Sequence, residues 1–196
     1  MKDVSVNKLL DQIVQLNREL TPADLAQGSR LFQKLEFEAN EVLLQAGQVC
    51  RHLYFLDEGL IRCHTFADDR TLWCEFENTF FMSPRSFFQQ VPSREILTFL
   101  EPSRVYAIRY QDLNELYQTN PRWAVWGVRF MEREYQKLES IYQLLFYKDA
   151  SERYEELLAA RPDVTQRVPL HYIASFLGVS PISLSRIRAG KQKKRF

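Results

Sequence analysis

The stretch from Leu170 to Ala189, LHYIASFLGVSPISLSRIRA, constrains the fold of this chain more than any other. The spacing of its apolar residues predicts two short helices. Ile173 and Leu177 would share one face of the first helix. Leu184 and Ile187 would share one face of the second, so that the two helices pack at an angle through these faces.

The residues between the two predicted helices are those that end one helix and start another. Gly178 can adopt the positive φ that ends a helix, and Ser180 is a favourable N-cap. Pro181 suits the first helical position because the N–H that it lacks has no intrahelical partner there. Gly190 is expected to end the second helix. Together these signals predict a helix-turn-helix, the motif whose second helix enters the major groove of DNA.

Charge separates a DNA-binding motif from two helices that merely pack together. No Asp or Glu follows Asp163, and residues 164–196 carry seven cations in a protein whose formal charge is +1: Arg167, Arg186, Arg188, Lys191, Lys193, Lys194 and Arg195. A positive segment of this kind is expected of a phosphate-binding surface. A solvated basic tail would account for residues 191–195 nearly as well, but not for the missing acids across residues 170–189.

Charge also divides the chain into two parts. Residues 148–196 contain ten Lys and Arg against five Asp and Glu, whereas residues 1–147 contain 16 against 20, so the net charges are +5 and −4. An acidic N-terminal part followed by a basic C-terminal part favours a sensing module joined to a DNA-binding module.

A heptad pattern begins after Asn120 and Pro121, which are expected to cap and open a long helix. Apolar residues then recur at steps of four and three: Ala124, Val128, Met131, Tyr135, Leu138, Tyr142 and Leu145. This spacing is typical of a two-stranded coiled coil and predicts a homodimer. The alternative is a helix buried along its own domain. A second apolar edge could serve that packing: Trp123, Trp126, Phe130 and Ile141.

The first half of the chain changes from helical to strand periodicity at about Leu35. Helices are expected in residues 1–20 and from a cap at Thr21. Short strands are then expected at residues 41–44, 52–59, 60–66, 71–76, 79–81, 95–101 and 105–108. This pattern predicts a small antiparallel barrel or roll. Further helices are expected at residues 112–118 and 150–160, followed by a brief extended link at residues 164–168.

Composition limits location and chemistry. No apolar run is long enough to cross a bilayer, and residues 1–20 lack a signal-peptide core, which predicts a cytoplasmic protein without membrane contact. The histidines show no metal-ligand spacing, and neither a nucleophile motif nor a phosphate-cradling glycine loop is present. We therefore expect no catalytic residues, no metal, no cofactor and no enzyme activity. Three widely spaced cysteines are expected to be free thiols: Cys50, Cys63 and Cys74.

The order of these parts resembles the Crp/Fnr superfamily of bacterial transcription regulators. The most specific stretches are VLLQAGQVCRHLYFLDEGLIR, which looks like the opening of a cyclic-nucleotide-binding β-roll, and IASFLGVSPISLSRIR. The resemblance implies an α+β fold with an antiparallel β-roll (a double-stranded β-helix of jelly-roll type), a long dimerisation helix and a helix-turn-helix domain. It implies double-stranded DNA, a second copy of the chain, RNA polymerase and a small-molecule effector as partners.

The resemblance also divides the chain. Residues 1–119 would form the N-terminal helices and the β-roll sensor, residues 120–147 the dimerisation helix, and residues 148–196 the DNA-binding domain. The seam between two copies would be formed by Val128, Met131, Tyr135, Leu138, Tyr142 and Leu145.

The phosphate cassette of the resembled family is altered in this chain. Members that bind cyclic nucleotides use a Gly-Glu pair for the ribose and an Arg for the cyclic phosphate. Met82 and Ser83 stand at the Gly-Glu positions, while Ser93, Arg94 and Glu95 follow where the Arg, a small residue and Ala are usual. Ser83 cannot replace a carboxylate, and Glu95 opposes a phosphate charge. We therefore expect an effector other than cyclic AMP, or none. The candidate effector pocket comprises Met82, Ser83, Arg85, Ser93 and Arg94.

The recognition helix departs from the family pattern as well. Only GKQKKRF follows Ala189, so the wing is expected to be reduced or absent, with the basic tail contacting phosphates instead. The resemblance implies DNA contacts from Ser180, Pro181, Ile182, Ser183, Ser185, Arg186, Arg188 and Lys191. Arg186 is the best candidate for a bidentate contact with guanine. Because Pro181 and Ile182 are apolar, the alternative is a ligand-sensing or scaffold protein of the same fold that has lost specific DNA binding.

Overall fold

The structure, a computed structural model, describes residues 4–192, with the side chains of residues 8–190. In this range the helices are α1 (Val4–Leu16), α2 (Pro22–Ser29), α3 (Pro84–Gln89), α4 (Tyr110–Thr119), α5 (Pro121–Tyr147), α6 (Ala150–Ala160), α7 (Val164–Arg167), α8 (Leu170–Leu177) and α9 (Pro181–Gln192). The strands are β1 (Gln33–Phe37), β2 (Val42–Leu44), β3 (His52–Glu58), β4 (Leu60–Thr65), β5 (Thr71–Phe76), β6 (Thr79–Phe81), β7 (Glu95–Phe99) and β8 (Ser103–Arg109).

The strands within residues 4–192 form two four-stranded antiparallel sheets, ordered β1-β8-β3-β6 and β2-β7-β4-β5. Strand β3 is central in the first sheet, where Leu53 lies opposite Ile108 of β8. Strand β4 is central in the second, where Cys63 lies opposite Leu97 of β7. All four side chains are fully buried. The sheets confirm the antiparallel roll, and the α+β class, predicted from the short strands and their turns.

Helices α1 and α5 cover the roll with their apolar faces. Leu9 and Ile13 of α1 are buried in the same core as Trp123, Trp126 and Phe130 of α5. The Trp126 and Phe130 rings are stacked, with centroids 5.4 Å apart. The second apolar edge of α5 therefore packs on the roll of its own chain, as its spacing allowed.

Predicted caps fix the starts of two helices. Thr21 and Asp24 form a reciprocal capping box at α2, in which the Asp24 backbone N–H donates to the Thr21 hydroxyl and the Thr21 N–H to the Asp24 carboxylate. The Asp24 carboxylate accepts from the Thr21 hydroxyl, from the Asn120 amide and from the Thr21 N–H, and these hydrogen bonds lower its pKa to about 2. The Asn120 side chain also accepts from the Arg122 N–H and so caps α5. No helix in residues 4–192 combines the length and the apolarity needed to cross a bilayer.

Two local predictions are wrong. Residues 164–168 are not an extended link, because Val164 turns inward to a buried position and the chain makes one helical turn, closed by a bond from the Val168 N–H to the Val164 carbonyl. Gly190 does not end α9, which continues to Gln192. A glycine ends a helix by adopting positive φ, and Gly178 does so at 69° whereas Gly190 does not. Helix α3 was not predicted; it starts at Pro84, directly after Ser83.

Two glycine substitutions are expected to have opposite effects on stability. A Cβ added to Gly28 would lie 2.0 Å from Cζ2 of the fully buried Trp123. Gly28→Ala should therefore lower the free energy of unfolding by about 1–3 kcal/mol. A Cβ on Gly190 meets nothing within 4 Å, so Gly190→Ala should stabilise α9 by up to about 1 kcal/mol. Urea unfolding of the two variants measures both, and a Gly28→Ala protein as stable as the parent would contradict the packing.

Candidate DNA-binding surface and effector pocket

Helices α8 and α9 form the helix-turn-helix that the sequence predicts. Gly178 ends α8 in the left-handed region, and the next N–H, from Val179, donates to the Ala174 carbonyl at 3.0 Å. The Ser180 hydroxyl accepts from the Ser183 N–H at 3.1 Å and so caps α9. Leu177 and Leu184 are fully buried between the two helices. The geometry of the turn follows directly from the glycine and the serine.

The start of α9 faces solvent. The exposed residues of the predicted DNA-contact set are Ser180, Pro181, Ile182, Ser183, Ser185 and Arg186, while Arg188 is half-buried. Ile182 leaves 67% of its surface exposed, which is unusual for an isoleucine and leaves it free to contact a thymine methyl. The Ser180 and Ser183 hydroxyls lie 2.9 Å apart and bond each other. Lys191 lies in α9, with its side chain outside the described residues.

Arg167 is one of the seven cations that indicated a phosphate-binding surface, but the structure uses it differently. Its guanidinium donates to both carboxylate oxygens of Glu77 at 3.0 Å, to Glu101, and to the Gly59 carbonyl at 3.2 Å. The Glu101 carboxylate raises the pKa of Arg167 above its usual value. Arg167 therefore joins the C-terminal helices to the roll. Arg167 also donates to Asp163 within its own segment at 3.3 Å. Sequence reasoning missed its role because the acceptors on the roll lie 66 to 108 positions away.

Strand β5 and helix α8 make the second contact between the roll and the motif. The Thr71 N–H donates to the Ser175 hydroxyl at 2.9 Å. The Arg62 guanidinium lies 3.7 Å from the centroid of the Tyr172 ring and also bonds Asp69 at 3.0 Å. With 3% of its surface exposed, Arg62 is a buried cation held by an aromatic face and a carboxylate. Helix α8 thus packs against the sheet while the start of α9 remains exposed.

The heptad residues of α5 form an exposed apolar row. The exposed fractions are 59% for Val128, 43% for Met131, 69% for Tyr135, 63% for Leu138 and 50% for Tyr142. Leu145 is half-buried. A groove of about 690 Å³ runs between α3, α4 and α5, and Val128, Met131 and Tyr135 of the row form part of its wall. An exposed apolar row of this length marks an interaction surface.

The cassette residues come together without a cation. Ser83 and Ser93 are buried, and the Ser83 hydroxyl donates to the Glu95 carboxylate at 2.6 Å. Arg85 and Arg94 are exposed. The charged residue that contacts the two buried serines is therefore Glu95, through its carboxylate at Ser83 and its backbone N–H at Ser93, and not an arginine.

Met82 lines a cavity of about 240 Å³ between the cassette and α5. Its charged wall residues are Glu75, Glu134 and Lys137. Burial raises the pKa of Glu134 above its usual value. With two carboxylates against one ammonium, this cavity is also poorly suited to a phosphate.

The cysteines are free in the structure, as predicted. Burial raises the pKa of all three thiols above the usual value, in the case of Cys74 to about 12. The thiolate is the reactive and metal-binding form of cysteine. These side chains are therefore protonated at neutral pH and act as small apolar groups of the core. Residues 4–192 contain no cluster of three or more His, Cys, Asp and Glu placed to hold a metal ion.

Comparison with known proteins places the chain in a class. Residues 34–120 match the cyclic nucleotide-binding domain family, while no curated protein matches the chain significantly. FixK2 from Bradyrhizobium japonicum is similar with a TM-score of 0.71 and 15% identity, over 83% of this chain and 85% of its own. The c-di-GMP responsive global regulator CLP from Xanthomonas campestris gives 0.65 and 18%, over 89% and 93%. A transcriptional regulator assigned to the crp/fnr family from Eubacterium rectale gives 0.70 and 14%, over 91% and 87%.

These similar proteins share with this chain a β-roll followed by a long helix and a C-terminal helix-turn-helix. Residues 34–120 match the model of the cyclic nucleotide-binding domain family, and the chain as a whole has the fold of the Crp/Fnr regulators. The resemblance noted in the sequence is confirmed at the level of fold.

Proposed function

We propose that the protein is a homodimeric, DNA-binding transcription regulator of the Crp/Fnr type. The observation that carries the proposal is the exposed start of α9, where Ser183 and Arg186 face solvent while Leu184 holds the helix on α8. A recognition helix needs this arrangement, with its first turns free to enter the major groove. The absence of Asp and Glu from residues 164–196 keeps the surrounding charge positive.

Dimerisation completes this function. Two-fold DNA sites are bound by two recognition helices, one from each copy. The exposed row Val128, Met131, Tyr135, Leu138 and Tyr142 is the surface that would pair two α5 helices. Residues 1–119 would then sense, residues 120–147 would dimerise and residues 148–196 would bind DNA in the cytoplasm, with RNA polymerase as a further partner.

The proposed effector is not cyclic AMP. Glu95 accepts the Ser83 hydrogen bond at the cassette, and the two arginines nearest in sequence, Arg85 and Arg94, are exposed. A cyclic phosphate would therefore face a carboxylate without a paired guanidinium. Titration with cyclic AMP should leave the melting temperature unchanged, whereas a saturable rise would contradict this part of the proposal.

Arg186→Ala should weaken DNA binding about tenfold or more. A bidentate contact with guanine contributes about 1–3 kcal/mol of discrimination. The preferred duplex is first selected from a random library by binding to the parent protein, and its affinity is then measured at several salt concentrations. The matched control is Arg18→Ala, an exposed arginine in the segment between α1 and α2, far along the chain from the motif.

Two outcomes separate this proposal from a second candidate function, that of a ligand-sensing or scaffold protein of the same fold without DNA binding. Loss of affinity with Arg186→Ala, together with little change for Arg18→Ala, supports a DNA-binding regulator. If the parent protein binds no duplex even at low salt, the exposed apolar positions Pro181 and Ile182 favour the second candidate.

A further inference from the structure

A cavity of about 460 Å³ lies where three parts of the chain meet. Strand β5 forms one wall, helix α5 a second, and helices α6 and α8 the third. The volume falls within the range of about 300–1,000 Å³ that is usual for small-molecule sites. A molecule held there would contact the roll, the dimerisation helix and the helix-turn-helix at once.

The walls of this cavity are largely apolar and aromatic. Trp73 and Phe76 come from β5, Ile141 from α5, Leu157 from α6 and Phe176 from α8. Phe76 is buried, and the other four side chains are half-buried, so that they keep surface open to the cavity. Apolar surface of this kind gains free energy when an apolar molecule covers it.

Most charged groups of the wall already have partners. The Lys137 ammonium donates to Glu75 at 3.0 Å, and Glu77 accepts two hydrogen bonds from Arg167 at 3.0 Å. The Glu75–Lys137 pair also borders the smaller cavity beside Met82, so it stands between the two cavities. Because these charges already neutralise each other, none of these side chains is left to bind a charged ligand.

Arg161 is the exception among the charged wall residues. Its guanidinium carbon lies 3.8 Å from the centroid of the Phe76 ring, which fixes the plane of the group against the wall. Its Nε is buried and has no hydrogen-bond partner. The nearest carboxylate oxygen in an ion pair, from Asp163, is 3.6 Å from that nitrogen, which is too long for a hydrogen bond. The buried Nε cannot reach a ligand, so the two terminal nitrogens are the donors that an anion in the cavity would meet, and they suit a single carboxylate or sulfonate.

We propose that this cavity binds a small aromatic or apolar monoanion, with the anionic group on Arg161 and the apolar body against Trp73, Phe76 and Phe176. The site is separate from the phosphate cassette, whose buried residues Ser83 and Ser93 do not line it. Tyr172, Ile173 and Phe176 of α8 form part of the wall, so the bound molecule would contact the helix on which α9 packs. Only an effect of this contact on DNA affinity rests on the proposed regulatory function.

The test uses a pair of fluorescent probes on the full chain. The anionic probe is 8-anilinonaphthalene-1-sulfonate, and the neutral probe of similar shape is N-phenyl-1-naphthylamine. Arg161→Gln should weaken binding of the anionic probe about tenfold, since a hydrogen bond to a charged group contributes about that much. Binding of the neutral probe should change less than about twofold, which also shows that the variant keeps its fold and cavity. Leu157→Trp narrows the cavity from its α6 side and should weaken binding of both probes at this site.

The outcomes each decide the proposal. Unchanged affinity of the anionic probe in Arg161→Gln, or unchanged binding of both probes in Leu157→Trp, overturns the site. The groove beside the dimer seam could also take a probe, but neither Arg161 nor Leu157 lines it. DNA affinity is then measured with and without saturating anionic probe. Failure of the protein to bind DNA refutes the proposed function and leaves the probe result standing, whereas probe failure with intact DNA binding refutes the site alone.

Discussion

A protein carrying Val128→Glu and Leu138→Glu is expected to be a monomer in solution and to lose DNA affinity by about a hundredfold or more. Both side chains lie on the exposed row of α5, with 59% and 63% of their surfaces exposed. In a two-stranded coiled coil these positions meet their own copies across the seam. Each substitution would therefore place two carboxylates face to face in an apolar contact, where burial of charge without a partner is strongly unfavourable.

The expected loss of DNA affinity follows because a monomer no longer links two recognition helices. When two binding modules are joined, the second binds at a high effective concentration, which typically raises overall affinity by about 10²–10⁴. A monomer binds one half-site and loses this gain. The α9 surface itself is unchanged by the two substitutions, so residual binding should keep the salt dependence of phosphate contacts.

Gln136→Glu is the matched control for the seam variants. Gln136 is exposed on the same helix and lies outside the heptad row, so its substitution adds a carboxylate without placing it in the seam. Sedimentation equilibrium should show a dimer for the parent and Gln136→Glu, and a monomer for the double variant with unchanged helix content by circular dichroism. A double variant that remains dimeric would show that α5 does not form the interface.

The fold was largely predictable because its elements are set by local signals. The short apolar runs of β3 and β4, the cap at Thr21 and the glycine at Gly178 each act within a few residues, and each has the predicted role. Packing explains one of the two errors, since residues 164–167 form a helical turn with Val164 buried in the core. At Gly190 no neighbour in the described part of the chain explains why α9 continues to Gln192.

The candidate sites were less predictable than the fold, because the role of each side chain depends on partners that are distant in the sequence. Arg62, Arg161 and Arg167 look alike in the sequence, yet their partners differ. Arg62 is buried on Tyr172, Arg161 lies on Phe76 with an Nε that makes no hydrogen bond, and Arg167 binds three carboxylates. Each role depends on a partner brought near by the tertiary fold. The altered cassette could be seen in the sequence as Ser83 and Glu95, but the hydrogen bond between them could not.

Arg167→Met is expected to release the C-terminal helices from the roll. The substitution keeps much of the apolar stem but removes the bonds to Glu77, Glu101, Asp163 and the Gly59 carbonyl. The three carboxylates that shared this guanidinium would then lose their common partner. Removing one partner of a fully buried ion pair costs about 3–5 kcal/mol. Arg167 is 22% exposed, and Glu77 and Glu101 are each about a third exposed, so the cost is smaller here. We expect the substitution to weaken the contact between the roll and the C-terminal helices by about 2 kcal/mol.

Hydrogen exchange distinguishes loss of this contact from general unfolding. A cost of about 2 kcal/mol should speed exchange in α7 and α8 roughly thirtyfold, while the core strands β3 and β8 keep the protection of the parent. Glu77→Gln should have a smaller effect, since Glu101 still holds the guanidinium. The Arg167→Met and Glu77→Gln double variant should be less destabilised than the sum of the two, because both remove the same interaction. Strict additivity, or faster exchange spread evenly over the roll, would show that Arg167 does not hold the motif to the roll.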